Sequence, residues 1–411
     1  MDVLCWAAPR RQRASWLQQA QPREKQVQPL EIGRRYCWQS VSSTSILSFA
    51  INRSKIRTPA AERERLLADP GFGRLFTEHM VRIRWTPDLG WHDAALVPYA
   101  PLTLDPGTSV LHYAQAVFEG LKAFRQAGGG VAAFRPDRHA VRFRNSARRL
   151  ALPELAEEAF MEAIDVLLGA DHEWVPSAAE HSLYLRPMMF ATEVTLAVHP
   201  AVDVTFLLIA SPSGSYFPRG VKPVTVWLSE DFSRAAPGGT GEAKTGGNYA
   251  GGLLAQAQAS AQGCDQVVWL DAREHRWVEE MGGMNLCFVY GRGNQARLMT
   301  PALTGTLLPG VTRDSLLTIG RDLGYATEEG RVSVDEWRQG CEDGSLTEVF
   351  ACGTAAVITP VGAVKSARGA WAVGDGGAGE VSMRLRQTLV DIQRGAVPDT
   401  HGWLYHAPVS D

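Results

Sequence analysis

The chain has 411 residues, a formal net charge of −3 and 45% hydrophobic residues. A chain of this length is expected to form about two domains with sizeable cores. Its near-neutral charge gives no electrostatic basis for binding nucleic acid or a membrane surface, and no run approaches the roughly 18 apolar residues of a membrane-spanning helix.

Residues 1–57 differ in composition from the rest of the chain. They contain ten basic residues against three acidic ones, with frequent serine and glutamine. No helical or strand period persists there, so we expect a disordered N-terminal extension. The alternative is an organelle transit peptide, which is typically rich in arginine and serine and poor in acidic residues.

The first half of the chain has a mixed α+β pattern, with ordered structure expected from about Phe72. The predicted strands cover residues 79–85, 131–134, 182–189 and 203–210, and the predicted helices cover residues 137–150 and 155–168. We assign residues 58–213 to a small N-terminal domain. Strands and helices mix here without strict alternation, which favours the α+β class.

Residues 211–220 are rich in serine, glycine and proline, which predicts a linker. We place the interdomain loop at residues 214–222 and a larger domain at residues 223–411. Strands are predicted there at 224–229, 266–270, 286–290 and 297–300, helices at 252–262 and 314–324, and a glycine-rich turn at 374–379.

The cysteines form no Cys-x-x-Cys pair, and neither they nor the histidines match a metal-binding spacing. We therefore expect no metal. Cys264, Cys287 and Cys352 lie in apolar or glycine-rich surroundings, which favours reduced core thiols and a cytoplasmic location, or an organelle if residues 1–57 are a transit peptide.

Lys244 is one of only six lysines, against thirty-five arginines, and lies in the glycine-rich segment 236–249. Three interpretations are open: an ordinary loop lysine, a phosphate-binding P-loop, or a lysine that forms a Schiff base. The P-loop pattern requires a glycine directly before the lysine, where this chain has Ala243.

A Schiff-base lysine that serves pyridoxal phosphate needs further groups elsewhere in the chain. The pyridine nitrogen needs a carboxylate, the phosphate needs backbone amides and an arginine, and the phenolate oxygen a hydroxyl. Glu280, the helix start at residues 308–313, the turn at residues 353–355 and Tyr249 are candidates. Each also has a purely structural interpretation, such as a solvated turn for Glu280 or an N-cap for Thr312.

Together these segments resemble the branched-chain amino acid aminotransferases, which are pyridoxal phosphate enzymes of fold type IV. In the second half the resemblance rests on Glu-Ala-Lys-Thr-Gly-Gly-Asn-Tyr (242–249), Glu-Met-Gly-Gly-Met-Asn (280–285), Leu-Pro-Gly-Val-Thr-Arg (308–313) and Cys-Gly-Thr-Ala-Ala (352–356). In the first half it rests on residues 111–120, Phe-Arg-Pro (134–136), Tyr-Leu-Arg-Pro (184–187) and Gly-Ser-Tyr-Phe-Pro (214–218).

The resemblance implies a two-domain α+β protein that binds pyridoxal 5'-phosphate. It implies that Lys244 is catalytic, forming the Schiff base and moving the substrate proton. The implied cofactor-binding residues are Lys244, Arg142, Tyr249, Glu280, Val311, Thr312 and Thr354. The implied substrate-binding residues are Phe76, Tyr113, Phe118, Tyr184, Arg186, Tyr216, Thr354 and Ala355.

The implied reaction is reversible transfer of the amino group of L-leucine, L-isoleucine or L-valine to 2-oxoglutarate, which gives a branched 2-oxo acid and L-glutamate. Arg186 is the candidate cation for glutamate. A homodimer is expected, with Tyr113 and Phe118 supplied by the partner subunit. A D-amino acid aminotransferase, an aminodeoxychorismate lyase and a nucleotide-binding P-loop protein are the alternatives. Gly283 departs from the family pattern, because some relatives have threonine there.

Overall fold

The computed structural model describes residues 47–215 and 220–408. Within them, two mixed β-sheets organise the fold, and α-helices pack against both. The first sheet contains β1 (Ala50–Ile51), β2 (His79–Thr86), β3 (Gly90–Pro98), β4 (Ala116–Phe118), β5 (Leu121–Arg125), β6 (Val131–Phe134), β7 (Ser182–Ala191), β8 (Val204–Ser213) and, from the chain end, β18 (Leu404–His406).

The second sheet is formed by consecutive strands of the second half. They are β9 (Val224–Ser229), β10 (Gln266–Leu270), β11 (Val278–Met281), β12 (Met284–Tyr290), β13 (Arg297–Pro301), β14 (Ala326–Gly330), β15 (Leu346–Gly353), β16 (Val357–Ser366) and β17 (Gly369–Ala372). The strand order β11-β10-β9-β16-β15-β12, with a further pairing of β11 with β12, closes six strands into a ring.

The described helices connect and cover the sheets. They are α1 (Ala60–Ala68), α2 (Ser109–Tyr113), α3 (Pro136–Arg149), α4 (Glu157–Asp171), α5 (Gly246–Ala250), α6 (Leu253–Ala261), α7 (Val311–Asp322), α8 (Val334–Asp343) and α9 (Glu380–Gln393). None of them, in the part of the chain that the structure describes, is both long and apolar enough to cross a bilayer.

Apolar periodicity explains why α3 and α4 lie on the first sheet. Pro136 opens α3 at a position where a missing N–H is harmless, and Phe143 and Ala147 of α3 are buried beside Phe160 of α4. Phe143 contacts Phe160 and Phe206 of β8 at ring-centroid distances of 5.5 and 5.6 Å. This packing orients α3 so that its other buried residues point toward the second half of the chain.

The predicted elements are confirmed with shifts of a few residues, and the mixed α+β class is confirmed. Strands β15 and β16 were not predicted from the sequence. Pro360 and Gly362 interrupt the second of them, and both residues normally weaken a strand prediction. The two strands form a hairpin whose turn, between Gly353 and Val357, lies at the site described below.

Residues 47–57 differ from the expected disorder. Strand β1 pairs in parallel with Ala95 and Leu96 of β3, and the Ser54 amide donates to Nε2 of His79 at 2.9 Å. Apolar side chains at Leu47 and Phe49 pack on the core, which the composition-based interpretation of the segment overlooked. Residues 1–46 lie outside the described residues.

Strand β18 pairs with β6 through Leu404 and Phe134. The segment assigned to residues 223–411 therefore also contributes a strand to the first sheet. The domain boundaries at 58–213, 214–222 and 223–411 remain predictions.

Candidate active site

The backbone of Lys244 is held on both sides by the first half of the chain. Its amide donates to Oγ of Ser146 on α3 at 2.9 Å, and its carbonyl accepts from the Phe118 amide of β4 at 3.0 Å. Val117 and Thr245 form an isolated β-bridge beside this contact. The loop therefore has a defined path, although glycines flank the lysine on both sides.

The amine of Lys244 meets a hydroxyl and an aromatic ring. Nζ donates to the Tyr249 hydroxyl at 2.9 Å and lies 4.9 Å from the centre of the Phe118 ring. The Phe118 and Tyr249 rings are 5.2 Å apart. Phe118 thus reaches Lys244 within the same chain, which corrects the expectation that it comes from a partner subunit. The cause is the pairing of β4 with the lysine segment.

The Phe118 and Tyr249 rings form an aromatic wall, which two predicted substrate residues, Tyr184 and Arg186, extend. The guanidinium of Arg186 lies 4.9 Å from the centre of the Phe118 ring and 5.3 Å from that of Tyr184, and its Nη2 donates to the Tyr184 hydroxyl at 3.1 Å. Nε of Arg186 is buried and has no hydrogen-bond partner among the described residues. The wall is apolar overall, and Arg186 adds a cation to it besides Lys244.

Glu280 of β11 is 1% exposed. Its Oε1 accepts the Leu308 amide at 2.6 Å. Its Oε2 lies 3.2 Å from Nε of Arg234, yet no donor is aligned for a hydrogen bond to it among the described residues. Burial raises the pKa of the Glu280 carboxyl, and Arg234, the Leu308 amide and Lys244 oppose that rise.

Arg142 of α3 is buried, and each of its three nitrogens donates to a protein oxygen. Nε and Nη2 donate to Oε1 and Oε2 of Glu119 at 2.7 and 2.9 Å, and Nη1 donates to the Pro309 carbonyl at 3.0 Å. His139 contacts the same carboxylate at 2.7 Å. Burial opposes ionisation of Glu119, but the charges of Arg142 and His139 prevail and hold its pKa well below the usual range.

The start of α7 presents free backbone amides beside Arg142. Val311 and Thr312 occupy its first two positions, with Gly310 as N-cap, and no acceptor engages their amides among the described residues. Gly310 is required here, because a Cβ would lie 2.0 Å from Oδ1 of Asn285. A cavity of about 750 Å³ adjoins Arg142, Gly310 and Val311 but does not extend to Lys244.

The turn between β15 and β16 contains Thr354 and Ala355. Their amides also lack a protein acceptor among the described residues. Nζ of Lys122, on β5, donates to the Ala355 carbonyl at 2.8 Å. Burial, reinforced by the charge of Arg386, lowers the pKa of Lys122 to about 8, while Glu180 acts in the opposite direction.

Two predicted substrate residues, Phe76 and Tyr113, make their ring and hydrogen-bond contacts outside this cluster. Phe76 stacks on Tyr99 with ring centres 5.0 Å apart. Tyr113 is 42% exposed, and its hydroxyl donates to the Leu196 carbonyl. Tyr216 lies outside the described residues. Their roles in substrate binding remain predictions.

A metal is not needed to explain the histidine–carboxylate contact elsewhere in the first half. Nδ1 of His79 lies 2.6 Å from Asp171, and Nε2 accepts the Ser54 amide. Both ring nitrogens are thus engaged by protein groups. The expectation of no metal stays a prediction.

The residues present fit pyridoxal 5'-phosphate. A buried carboxylate oxygen of Glu280 has no aligned donor among the described residues and suits a protonated ring nitrogen. Free amides of Val311 and Thr312 at a helix N-terminus, with Arg142 beside them, suit a phosphate. Lys244 supplies the amine, and Tyr249 a hydroxyl next to it.

Sequence reasoning missed several residues that hold these groups. Glu119 lies inside a motif that we used for the resemblance, but nothing local indicates that it binds Arg142. Ser146 and Lys122 carried no sequence signal, because their partners are 98 and 233 residues away. A buried acid beside an arginine could have been suspected only with the fold in hand.

Comparison with known proteins agrees with this chemistry. Residues 116–364 match the family described as amino-transferase class IV. The chain is 62% identical over 346 residues to a probable branched-chain-amino-acid aminotransferase of Streptomyces coelicolor, covering 84% of this chain and 94% of that protein. It is 57% identical over 359 residues to the branched-chain-amino-acid aminotransferase of Mycolicibacterium smegmatis, covering 87% and 98%.

Solved structures are similar in fold. The branched-chain amino acid aminotransferase of Escherichia coli matches with a TM-score of 0.65 at 28% identity, covering 79% of this chain and 99% of that one. The branched-chain amino acid aminotransferase of Thermoproteus uzoniensis, solved with norvaline, matches with a TM-score of 0.64 at 25% identity, covering 80% and 99%. With the site geometry, these matches establish that the chain belongs to the class IV aminotransferases, with the pyridoxal phosphate fold type IV.

Proposed function

We propose that this protein is a branched-chain amino acid aminotransferase. It transfers the amino group of L-leucine, L-isoleucine or L-valine to 2-oxoglutarate reversibly, giving a branched 2-oxo acid and L-glutamate, with pyridoxal 5'-phosphate as cofactor. The observation that carries the proposal is the convergence of Lys244, Tyr249, Glu280 and Arg142 from distant segments, in a chain whose relatives bear that name.

When bound, the cofactor supplies an electron sink for the charge that develops at the substrate Cα. Arg142 and the amides at the start of α7 would hold its phosphate. Glu280 Oε2 would accept a hydrogen bond from its protonated ring nitrogen, and the Tyr249 hydroxyl would hold its phenolate oxygen next to Lys244. Lys244 would attach the cofactor through Nζ, and its free amine would carry the proton that leaves the substrate Cα.

The aromatic wall explains a preference for branched apolar side chains. Each methylene group that such a substrate buries against Phe118 and Tyr184 contributes about 0.8 kcal/mol. Glutamate must use the same site, and its side-chain carboxylate needs a cation. Arg186 meets this need because its Nε is buried without a partner among the described residues. The free amides of Thr354 and Ala355 receive the α-carboxylate.

A homodimer is part of the proposal. Two segments expose large apolar or aromatic side chains, and the Tyr113–Leu196 hydrogen bond brings these segments together. The side chains are between 42% and 81% exposed: Leu111, Tyr113, Val194, Leu196 and Val198. Apolar groups that cluster at a surface are characteristic of protein interfaces. A Leu196→Lys variant is expected to lower the mass measured by light scattering, whereas Leu89→Lys, at a similarly exposed turn, is not. Equal masses for both variants would contradict this interface.

We also propose a cytoplasmic location. The described cysteines Cys264, Cys287, Cys341 and Cys352 are free thiols, which suits a reducing compartment. Cell fractionation of the full chain and of a chain lacking residues 1–57 tests this. Recovery of the full chain, but not the shortened one, in an organelle or envelope fraction would favour the transit-peptide alternative.

The decisive experiment compares Lys244→Ala with Lys365→Ala in purified protein loaded with pyridoxal 5'-phosphate. Borohydride reduction followed by peptide mass analysis should attach the cofactor to Lys244. Lys244→Ala should lose both this label and transamination of L-leucine, while Lys365→Ala keeps them. Labelling of another lysine, or a preference for D-alanine over L-leucine, would contradict the proposal.

A further inference from the structure

Arg234 is a buried residue to which neither the sequence nor the proposed mechanism assigns a role. Its side chain is 4% exposed. Nε lies 3.2 Å from Oε2 of Glu280, and Nη1 donates to the carbonyls of Thr306 and Gly241 at 2.9 and 3.3 Å. One guanidinium therefore touches three separate segments.

Those three segments carry the cofactor-binding groups. Gly241 lies in the loop that leads to Lys244. Thr306 lies in the loop that leads to the amides of α7, by way of Leu308, which donates to Oε1 of Glu280. Arg234 therefore contacts three groups: the loop before Lys244, the loop before α7 and the carboxylate of Glu280.

The two loops meet without spare room. A Cβ at Gly241 would lie 2.3 Å from the Thr306 carbonyl oxygen and 2.7 Å from Cβ of Ala235. The carbonyls of Gly241 and Thr306 both point at Nη1 of Arg234. Two partial negative charges so close together require a shared donor, because buried carbonyls without partners are costly.

Arg234 also lies beside two adjacent acidic residues, whose negative charges repel each other. Glu279 and Glu280 are adjacent and both buried. The charged groups that act on Glu280 are Arg234, Lys244 and Glu279, and burial raises the pKa of its carboxyl. A guanidinium stays charged at any physiological pH, so Arg234 is a permanent counter-charge behind the oxygen that faces the ring nitrogen.

We propose that Arg234 is a positioning residue for the aminotransferase reaction. It holds Glu280 ionised and aligned for the cofactor ring nitrogen, and it ties the loop of Lys244 to the loop of the phosphate amides. It acts through Glu280 and does not touch substrate. This inference rests on the proposed function, since it needs the cofactor that Glu280 binds.

The test is a double-mutant cycle on the full-length protein, with the dissociation constant of pyridoxal 5'-phosphate as the readout. The variants are Arg234→Met, Glu280→Gln and the two combined, each measured by fluorescence titration. Arg234→Met should weaken binding by about tenfold more in the native background than in the Glu280→Gln background. Equal fold-changes in both backgrounds would overturn the inference.

The pH profile separates the charge from mere packing. Without Arg234 the Glu280 carboxyl holds its proton to higher pH, so cofactor affinity in Arg234→Met should fall as the pH is lowered and recover as it is raised. Arg234→Lys keeps a charge and should restore the pH profile of the native protein. A profile in Arg234→Met that parallels the native one contradicts the inference.

Arg386→Met is the matched control, because Arg386 is also buried and paired with a carboxylate, Glu180, at 2.9 Å. It should show no coupling to Glu280→Gln. If Arg234→Met fails to fold, the same cycle is run with Arg234→Gln, which keeps donor groups for the two carbonyls but lacks the charge and should still couple to Glu280→Gln. The native protein is assayed first for cofactor binding and L-leucine transamination, so failure of the proposed function is recognised separately.

Discussion

The carboxylate of Glu119 holds the guanidinium of Arg142 at two points, with Oε1 2.7 Å from Nε and Oε2 2.9 Å from Nη2. The remaining nitrogen, Nη1, donates to the carbonyl of Pro309, two residues before α7 begins. Glu119 is completely buried. It therefore fixes the direction of the arginine toward the start of α7, where we propose that the cofactor phosphate binds.

Replacing Glu119 by glutamine should weaken both folding and cofactor binding. Arg142 would keep a buried charge without its counter-charge, a change that typically costs about 3–5 kcal/mol of the free energy of unfolding. Urea denaturation and cofactor titration measure the two effects. Glu154→Gln is the control, because Glu154 pairs with Arg148 at the surface, where such pairs contribute about 0–1 kcal/mol. Equal losses in the two variants would contradict this role.

The stability that Glu119 provides should be lost in acid. The pKa of its carboxyl is lowered on folding, so its contribution is fully present above the ordinary pKa of a glutamate. It falls as the pH drops through that value toward the lower pKa of the folded state. The difference in unfolding free energy between native protein and Glu119→Gln should therefore be constant near neutrality and shrink below about pH 4.5. A difference in unfolding free energy that grows as the pH falls would contradict this role of Glu119.

Gly120→Ala should displace Tyr184. A Cβ at residue 120 would lie 1.8 Å from the Tyr184 hydroxyl oxygen, and overpacking of this kind costs about 1–3 kcal/mol. We expect a lower melting temperature and a higher KM for branched-chain substrates. Adding Tyr184→Ala to Gly120→Ala removes the clash, so the double variant should recover part of the lost stability. No recovery would mean that the glycine is needed for another reason.

Arg186→Met should change acceptor preference. The variant loses the cation for the side-chain carboxylate of 2-oxoglutarate but keeps an apolar surface for branched chains. We expect kcat/KM for 2-oxoglutarate to fall at least about tenfold more than for 4-methyl-2-oxopentanoate. Arg82→Met, on the exposed side of β2, serves as control. Parallel losses for both acceptors would argue against Arg186 as the discriminating cation.

The free energy of unfolding should increase at alkaline pH because of Lys122. Burial lowers its pKa to about 8 from 10.5, so the folded state carries a penalty below pH 8 that disappears as the pH rises to the unfolded value. Relative to Lys122→Met, the native protein should gain up to about 3 kcal/mol between neutrality and pH 10. Denaturation curves at the two pH values, with Lys365→Met as control, measure the gain. A constant difference would show that folding does not lower the pKa of Lys122.

Local pattern was sufficient for much of the site. Three local patterns predicted functional groups. The glycines around Lys244 indicated a reactive lysine, the Leu-Pro-Gly start of α7 indicated amides for a phosphate, and the acidic pair before β12 indicated a carboxylate. Tyr249 was a candidate from its position near Lys244, and the resemblance then supplied Arg142. Tyr216 lies outside the described residues, and the predicted placement of Phe118 in a partner subunit was wrong.

The sequence by itself determined the reactive groups and the elements that carry them, because helix starts, turns and apolar periods depend on near neighbours. Only the tertiary structure decided which groups meet. Lys244 binds Ser146 across 98 residues, and Arg142 binds Glu119 of another element. Arg234 joins two loops to Glu280. Such contacts depend on strand pairing and on burial that removes water from charges, neither of which leaves a local pattern in the sequence.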